Sequence, residues 1–347
     1  MTQPITSRSS LTFDETTAPP PSPVLPRARD VSELPDATGA LPGALTAGPT
    51  PSVTANQVVT RAEAVVMAQR LDAFQALANP TFHTAEGDVT VAIPFRMNRE
   101  YYGHGMVVAG NASALAAAGR RVGLTDEAVA LVKAGRATPL QVALLAQGLI
   151  DEGRLPVGGQ GTPGLAQRVR VMMFDHGVGL DCAGYVQQAL LAARGVTRAS
   201  VGLRPPLMEN LGGLAQRGYA RVSVEEARSG DLLILQAPAP SANDPHPVGH
   251  TAIVRDARPT TGGERDWLTR AGQISGAAAA NGRWTTIVVD SSWGSGGSAA
   301  RGGVDRRTLW HETVSDQWVW TEDRSVVESG PLPYAHALDG IYRAPGR

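Results

Sequence analysis

The sequence predicts an α+β protein: a disordered tail at residues 1–55 and a small, mainly helical region at 56–157 precede an α+β domain at 165–347. Three observations support this prediction. The tail is rich in Pro, Ser, Thr, Ala and Gly, a composition that buries too little apolar surface to offset the entropy lost on ordering. Apolar residues of the second region recur at helical spacing. After residue 230 they also form short runs typical of strands.

The second region is expected to contain four helices and one strand. The helices are predicted at residues 60–77, 112–120, 126–134 and 139–152, and the strand at 89–95. Thr125 is a predicted N-cap, and Thr138-Pro139 combines a cap with a proline at the first helical position. The region contains no obvious catalytic constellation. Its histidines, His83 and His104, have no acidic or cysteine neighbours at ligand spacing and are interpreted as structural or surface residues.

A glycine-rich stretch at residues 158–164 is predicted to be a linker between this region and the α+β domain. It formally contains the G-x-G-x-x-G pattern of dinucleotide-binding loops, from Gly159 to Gly164. The preceding residues do not form a convincing strand, and Pro163 lies inside the pattern. A flexible linker is therefore favoured over a nucleotide site.

The only cysteine of the chain, Cys182, lies at the start of a predicted helix. Asp181 is expected to be the N-cap and Gly195 to end the helix. A thiol in the first helical turn lies at the positive end of the helix dipole, which favours the thiolate and is one way to build a nucleophile. The alternative is the commonest role of a lone cysteine, a small buried hydrophobic residue.

Several strands follow the cysteine helix. They are predicted at residues 232–235, 249–255, 284–290, 318–320 and 340–343, with a long insertion at 256–283 and a Gly/Ser loop at 294–303. His250 begins the second of these strands and Asp290 ends the third. Trp293 is expected to pack in the core, and His176, His311 and His336 are interpreted as structural or loop residues.

Cys182, His250 and Asp290 together match the requirements of thiol catalysis. A thiol nucleophile needs a base that later protonates the leaving amine, and histidine titrates in the appropriate range. The histidine needs a third polar group that fixes its tautomer and ring orientation, and Asp290 is the candidate for this role. The backbone N–H of Cys182, at the helix N-terminus, is a candidate donor to the oxyanion.

The motifs around these residues resemble the NlpC/P60 cysteine peptidases. The matching segments are Gly179-Leu-Asp-Cys-Ala-Gly-Tyr-Val186, Gly230-Asp-Leu-Leu-Ile-Leu235 and Gly249-His-Thr-Ala-Ile-Val254, within about residues 165–345. The resemblance implies a papain-like α+β domain whose cysteine helix packs on an antiparallel sheet that carries the histidine. It implies hydrolysis of an amide bond in bacterial peptidoglycan stem peptides or cross-links, with no cofactor.

Residue by residue, the resemblance makes Cys182 the nucleophile and His250 the base. The family's third polar residue would fall on Asp290, with Ser291 and Ser292 as competitors. Two alternatives stay open: a thiol transferase or deamidase that acts on a protein or small amide, and a catalytically dead papain-like scaffold.

Composition and the remaining motifs exclude several other classes. The net charge of -1 argues against a nucleic-acid-binding surface. No apolar stretch approaches the ~18 residues of a transmembrane helix, so no integral membrane segment is expected. His246 and His250 are four residues apart, but Pro247 and Gly249 break any helix between them, so no metal site is predicted.

The N-terminal sequence lacks a basic segment followed by an apolar run, so no general secretory signal is predicted. We therefore expect the protein to be made in the cytoplasm and either to be exported by a route other than the general secretory pathway or to act after cell lysis. A delivered antibacterial effector would have a secretion or injection apparatus and an immunity protein as partners. A phage-type lysin would act on the same peptidoglycan substrate.

Overall fold

A computed structural model of the chain describes residues 61–95, 111–159, 161–196, 218–235, 249–293, 302–322, 326–329 and 338–344. These residues form a mixed α+β structure in which helices cover a curled antiparallel sheet, so the predicted α+β class is confirmed. The predicted tail, His104, His246, His336 and most of the Gly/Ser loop lie outside the described residues. None of the helices in the described ranges is long and apolar enough to cross a bilayer.

The helices and strands are numbered in chain order. The helices are α1 (Arg61–Ala76), α2 (Asn111–Arg121), α3 (Asp126–Lys133), α4 (Pro139–Asp151), α5 (Leu165–Asp175), α6 (Cys182–Arg194), α7 (Gly262–Arg270) and α8 (Gly276–Asn281). The strands are β1 (Thr81–Thr84), β2 (Gly87–Thr90), β3 (Ala220–Val222), β4 (Leu232–Leu235), β5 (His250–Pro259), β6 (Trp284–Trp293), β7 (Gly303–Glu312), β8 (Gln317–Glu322), β9 (Val326–Ser329) and β10 (Leu338–Arg343).

The predicted helices α1 to α4 and α6 are all present, and their start signals act as expected. The Thr125 side chain accepts a hydrogen bond from the N–H of Ala128 at 3.1 Å. Thr138 forms a reciprocal capping box with Gln141. Helix α6 ends at Gly195, which adopts the left-handed conformation (φ 64°) that glycine accepts without a Cβ clash.

Several regions differ from the sequence prediction, among them helix α5, which the sequence analysis does not predict. The strand expected at 89–95 is replaced by the β1–β2 hairpin, and within residues 91–95 Phe95 forms only an isolated bridge with Leu180. The insertion at 256–283 contains the second half of β5 together with α7 and α8. Strand β7 was not predicted, because buried charged residues such as Arg307 interrupt its apolar pattern.

The large sheet has the strand order β3-β10-β4-β5-β6-β7-β8-β9, and every neighbouring pair is antiparallel. A register shift interrupts the β5–β6 ladder between Val254 and Asp256. Successive side chains of a strand point to opposite faces of the sheet. One face, which includes Ile253, packs against α1 and α6 (the helix face), and the other, which includes Ala252, contributes to a second core (the opposite face).

The main hydrophobic core includes residues from both sides of the predicted linker at 158–164. Leu145 of α4, Met172 of α5, Val186 of α6 and Ile253 of β5 all belong to it. The helical region and the sheet therefore share one core in the described part of the chain.

Candidate active site

The start of helix α6 is fixed by local hydrogen bonds and by the turn between α3 and α4. Asp181 Oδ1 accepts the N–H of Gly184 at 2.5 Å, which confirms the predicted N-cap. A side chain at Gly184 would collide with the carbonyl oxygen of Gly135 in that turn. Glycine at this position therefore allows the turn to approach the first residues of α6 closely.

The Cys182 thiol lies between the start of α6 and strand β5. The backbone N–H groups of Thr251 and Ala183 lie close enough to its Sγ to lower the pKa of the thiol. The residue as a whole is partly exposed. Because Thr251 directly follows His250, the sulfur lies beside the strand position that adjoins the predicted base.

The environment of the thiol raises its pKa to about 11. Burial is the largest cause, and the negative charge of Asp181 adds to it. The N–H groups of Thr251 and Ala183 and the positive charge of Arg136 lower the pKa but do not outweigh these effects. The expectation that the helix N-terminus favours the thiolate is therefore wrong for the structure as described, because desolvation exceeds the stabilisation that the helix supplies.

His250 is the first residue of β5 and is largely buried. Its ring stacks on Trp293 of β6, with 4.4 Å between ring centroids and 27° between ring planes. Trp293 is 1% exposed, which confirms that it packs in the core. Its indole N–H donates to the carbonyl of Asp305 at 3.0 Å, and the Arg307 guanidinium lies 4.1 Å from the ring centroid. The indole therefore holds one face of the His250 ring.

Asp290 is fully buried and pairs with a different partner from the one that the sequence predicts. Its carboxylate accepts hydrogen bonds from Arg306 Nε at 2.7 Å and Nη2 at 3.0 Å. Arg306 also contacts Asp72 of α1 at 2.9 Å, and Asp72 forms a bidentate pair with Arg255 at 2.8 and 2.6 Å. Burial raises the pKa of Asp290 in spite of Arg306.

Asp290 and His250 point to opposite faces of the sheet. Asp290 lies opposite Ile253 in the β5–β6 ladder and shares its helix face. His250 lies two residues before Ala252, so alternation directs its side chain to the opposite face, where Trp293 also lies. The structure thus brings the Cys182 thiol close to the backbone that adjoins His250, whereas Asp290 and the His250 side chain lie on opposite faces of the sheet.

The two serines that competed with Asp290 hydrogen-bond to backbone carbonyls. Ser291 Oγ donates to the carbonyl of Thr251, and Ser292 Oγ donates to the carbonyl of Leu180, both at 2.7 Å. One bond reaches the residue after His250, and the other reaches the second residue before Cys182. Strand β6 therefore fixes both backbone segments of the candidate site through two adjacent hydroxyls.

The other described histidines form separate local contacts. His83 bonds to Asp88 across the β1–β2 hairpin at 2.7 Å, and His311 bonds to Asp316 at 2.8 Å. Burial lowers the pKa of His176, which follows α5. No group of three or more His, Cys, Asp and Glu side chains in the described ranges is arranged to hold a metal ion.

Sequence reasoning missed the contacts that surround the catalytic candidates. Arg136 lies in a turn that contains no recognisable motif. Nothing in the sequence around Ser291 and Ser292 indicates which carbonyl groups they hydrogen-bond to. Trp293 follows Asp290 by only three residues, and the alternation of the strand could have placed it on the face opposite to Asp290. Comparisons of the chain with protein-family models, with curated proteins and with solved structures found no match.

Proposed function

We propose that this protein is a cysteine-dependent hydrolase of the papain-like NlpC/P60 type that cleaves an amide bond in peptidoglycan stem peptides or cross-links. The observation that supports it best is the proximity of the Thr251 N–H to Cys182 Sγ, which lowers the pKa of the thiol. This proximity places a thiol at a helix N-terminus beside the strand that begins with His250. The three sequence motifs, in the family's order, support the choice of substrate.

In the proposed reaction, His250 accepts the thiol proton as Cys182 Sγ attacks the substrate carbonyl carbon. The backbone N–H of Cys182 donates to the oxyanion of the tetrahedral intermediate. His250 then protonates the leaving amine, and water hydrolyses the thioester to release the acid and regenerate the thiol. Because burial raises the pKa of the thiol to about 11, the thiol is protonated at neutral pH and His250 must accept its proton for the attack.

The experiment is digestion of purified peptidoglycan of several chemotypes, with the released fragments read by mass spectrometry. The control is the same protein alkylated by iodoacetamide, which reacts at one thiol because the chain has one cysteine. Fragments released by the unmodified protein alone support the proposal and identify the bond. Equal release by both samples contradicts it. Absence of release, together with thiol-dependent modification of a protein amide, supports the transferase or deamidase alternative instead.

A second candidate function is that of a papain-like scaffold without catalytic activity. The observation in its favour is the raised pKa of Cys182, since a structural thiol in a buried site has this property. The two candidates differ in whether His250 influences the thiol. If the protein is an enzyme, His250→Gln slows alkylation of Cys182, whereas in a scaffold the rate stays the same.

Trp293→Leu is expected to lower kcat about tenfold or more with little change in KM, because the imidazole of His250 loses the surface that restricts its orientation. Trp293→Phe keeps an aromatic ring there and is expected to retain more activity. The measurements are kcat, KM and the pH profile, beside thermal unfolding. Trp310→Leu, a buried tryptophan in another cluster, is the control for loss of stability. An unchanged kcat in folded Trp293→Leu would contradict the positioning role.

A further inference from the structure

The turn between α3 and α4 binds the first residues of helix α6 through several contacts. The Gly135 carbonyl accepts the N–H of Asp181 at 3.3 Å, and Gln188 Nε2 donates to the Arg136 carbonyl at 2.9 Å. Gly184 allows the close approach of this turn. These contacts come from the helical region, to which the sequence assigns no role, and they converge on the helix end that carries Cys182.

Arg136 and Asp181 form a buried charge pair within this contact. Arg136 Nη2 lies 3.4 Å from Asp181 Oδ2, and each side chain is 6% exposed. Asp181 Oδ1 is at the same time the N-cap acceptor for Gly184. The carboxylate is therefore held from two sides, by the helix that it caps and by the turn that packs on it.

The two members of the pair act on Cys182 in opposite directions. Asp181, directly before the cysteine, disfavours the thiolate, and Arg136 favours it. From β5, the Thr251 N–H also favours the thiolate, and His250 adjoins this position. The other charged groups near α6, Asp72, Asp290 and Arg306, act on Tyr185, one turn further along the helix.

We propose that the Arg136–Asp181 pair sets the reactivity of the Cys182 thiol, which makes the α3–α4 turn a positioning element of the active site. Arg136 partly offsets the negative charge of the carboxylate that the helix needs as its cap and that disfavours the thiolate. In this role the helical region is part of the catalytic unit. The catalytic meaning of this inference rests on the proposed function, whereas the electrostatic effect is measurable without a substrate.

The experiment is the rate of Cys182 alkylation by iodoacetamide between pH 7 and pH 10, in the full chain. The single cysteine makes the reaction specific without further changes. The test variants are Arg136→Gln, which removes the positive charge, and Asp181→Asn, which removes the negative charge and keeps a cap acceptor. Arg136→Lys keeps the charge. The matched control is Arg70→Gln, because Arg70 contacts the Ala193 carbonyl at the other end of α6.

Arg136→Gln is expected to slow alkylation about tenfold at each pH between 7 and 10, a range that lies below the thiol pKa of about 11. Asp181→Asn is expected to speed alkylation by a similar factor. Arg136→Lys should stay close to the unmodified protein. Arg70→Gln should do so as well, because the far end of the helix is about 16 Å away along its axis.

Circular dichroism identifies variants that fail to fold. If Arg136→Gln does not fold, the alkylation rate of Asp181→Asn alone tests whether the charge pair controls the thiol. Equal alkylation rates in the unmodified protein and the folded charge variants would overturn the inference. Changed alkylation rates in these variants, in a protein that releases no peptidoglycan fragments, would uphold the electrostatic role and contradict only the proposed function.

Discussion

Replacing Cys182 by Ala is expected to abolish the release of peptidoglycan fragments, with a fall in rate of at least about 10³-fold. The proposed reaction passes through a thioester at Sγ, and alanine has no atom that can form it. His250 and the backbone donors would still bind a substrate but would have no nucleophile to activate. The measurement is fragment release over time, quantified by mass spectrometry.

The same substitution should leave the fold intact. Alanine has a high helix propensity, and the N-cap hydrogen bond comes from Asp181 rather than from the thiol. We expect the free energy of unfolding to change by no more than about 1 kcal/mol. Cys182→Ser is the control of similar size, and it should also be inactive because the hydroxyl is a weaker nucleophile. Full activity in Cys182→Ala would show that another residue performs the chemistry.

Replacing Asp290 by Ala is expected to destabilise the protein by about 3–5 kcal/mol. The Asp290 carboxylate is fully buried and accepts two hydrogen bonds from Arg306. Its removal leaves the Arg306 guanidinium with only Asp72 as its acidic partner in the described structure. The measurement is urea-induced unfolding followed by circular dichroism, with the slope of the transition compared between variants.

The double variant Asp290→Leu with Arg306→Met separates the ion pair from other roles of Asp290. Burial raises the pKa of Asp290 even beside Arg306, so desolvation offsets much of the attraction within the pair. An apolar pair of similar volume is therefore expected to recover most of the lost stability. If Asp290→Ala instead keeps its stability and loses only turnover, Asp290 orients His250 as the sequence first suggested.

Helices α1 to α4 and α6, with their caps, and strands β4, β5 and β6 can be predicted from local sequence signals alone. Asp181, Thr125 and Thr138 identify helix starts because a cap acts within three residues of its own position. Alternating and continuous apolar runs identify β4, β5 and β6 for a similar reason, since burial of a strand repeats every two residues. These signals are local, so they can be recognised in a single sequence before any contact between distant residues is known.

Which side chains meet at the site depends on contacts between distant segments of the chain. The sequence placed Asp290 on the strand that neighbours His250, which is correct, but the face of the sheet depends on register, and a shift of one residue reverses it. The Cys182 pKa depends on burial and on Arg136, 46 residues earlier in the chain. The stack of His250 on Trp293 also requires the paired sheet. Desolvation and charge pairing arise between segments distant in sequence, so spacing along the chain does not encode them.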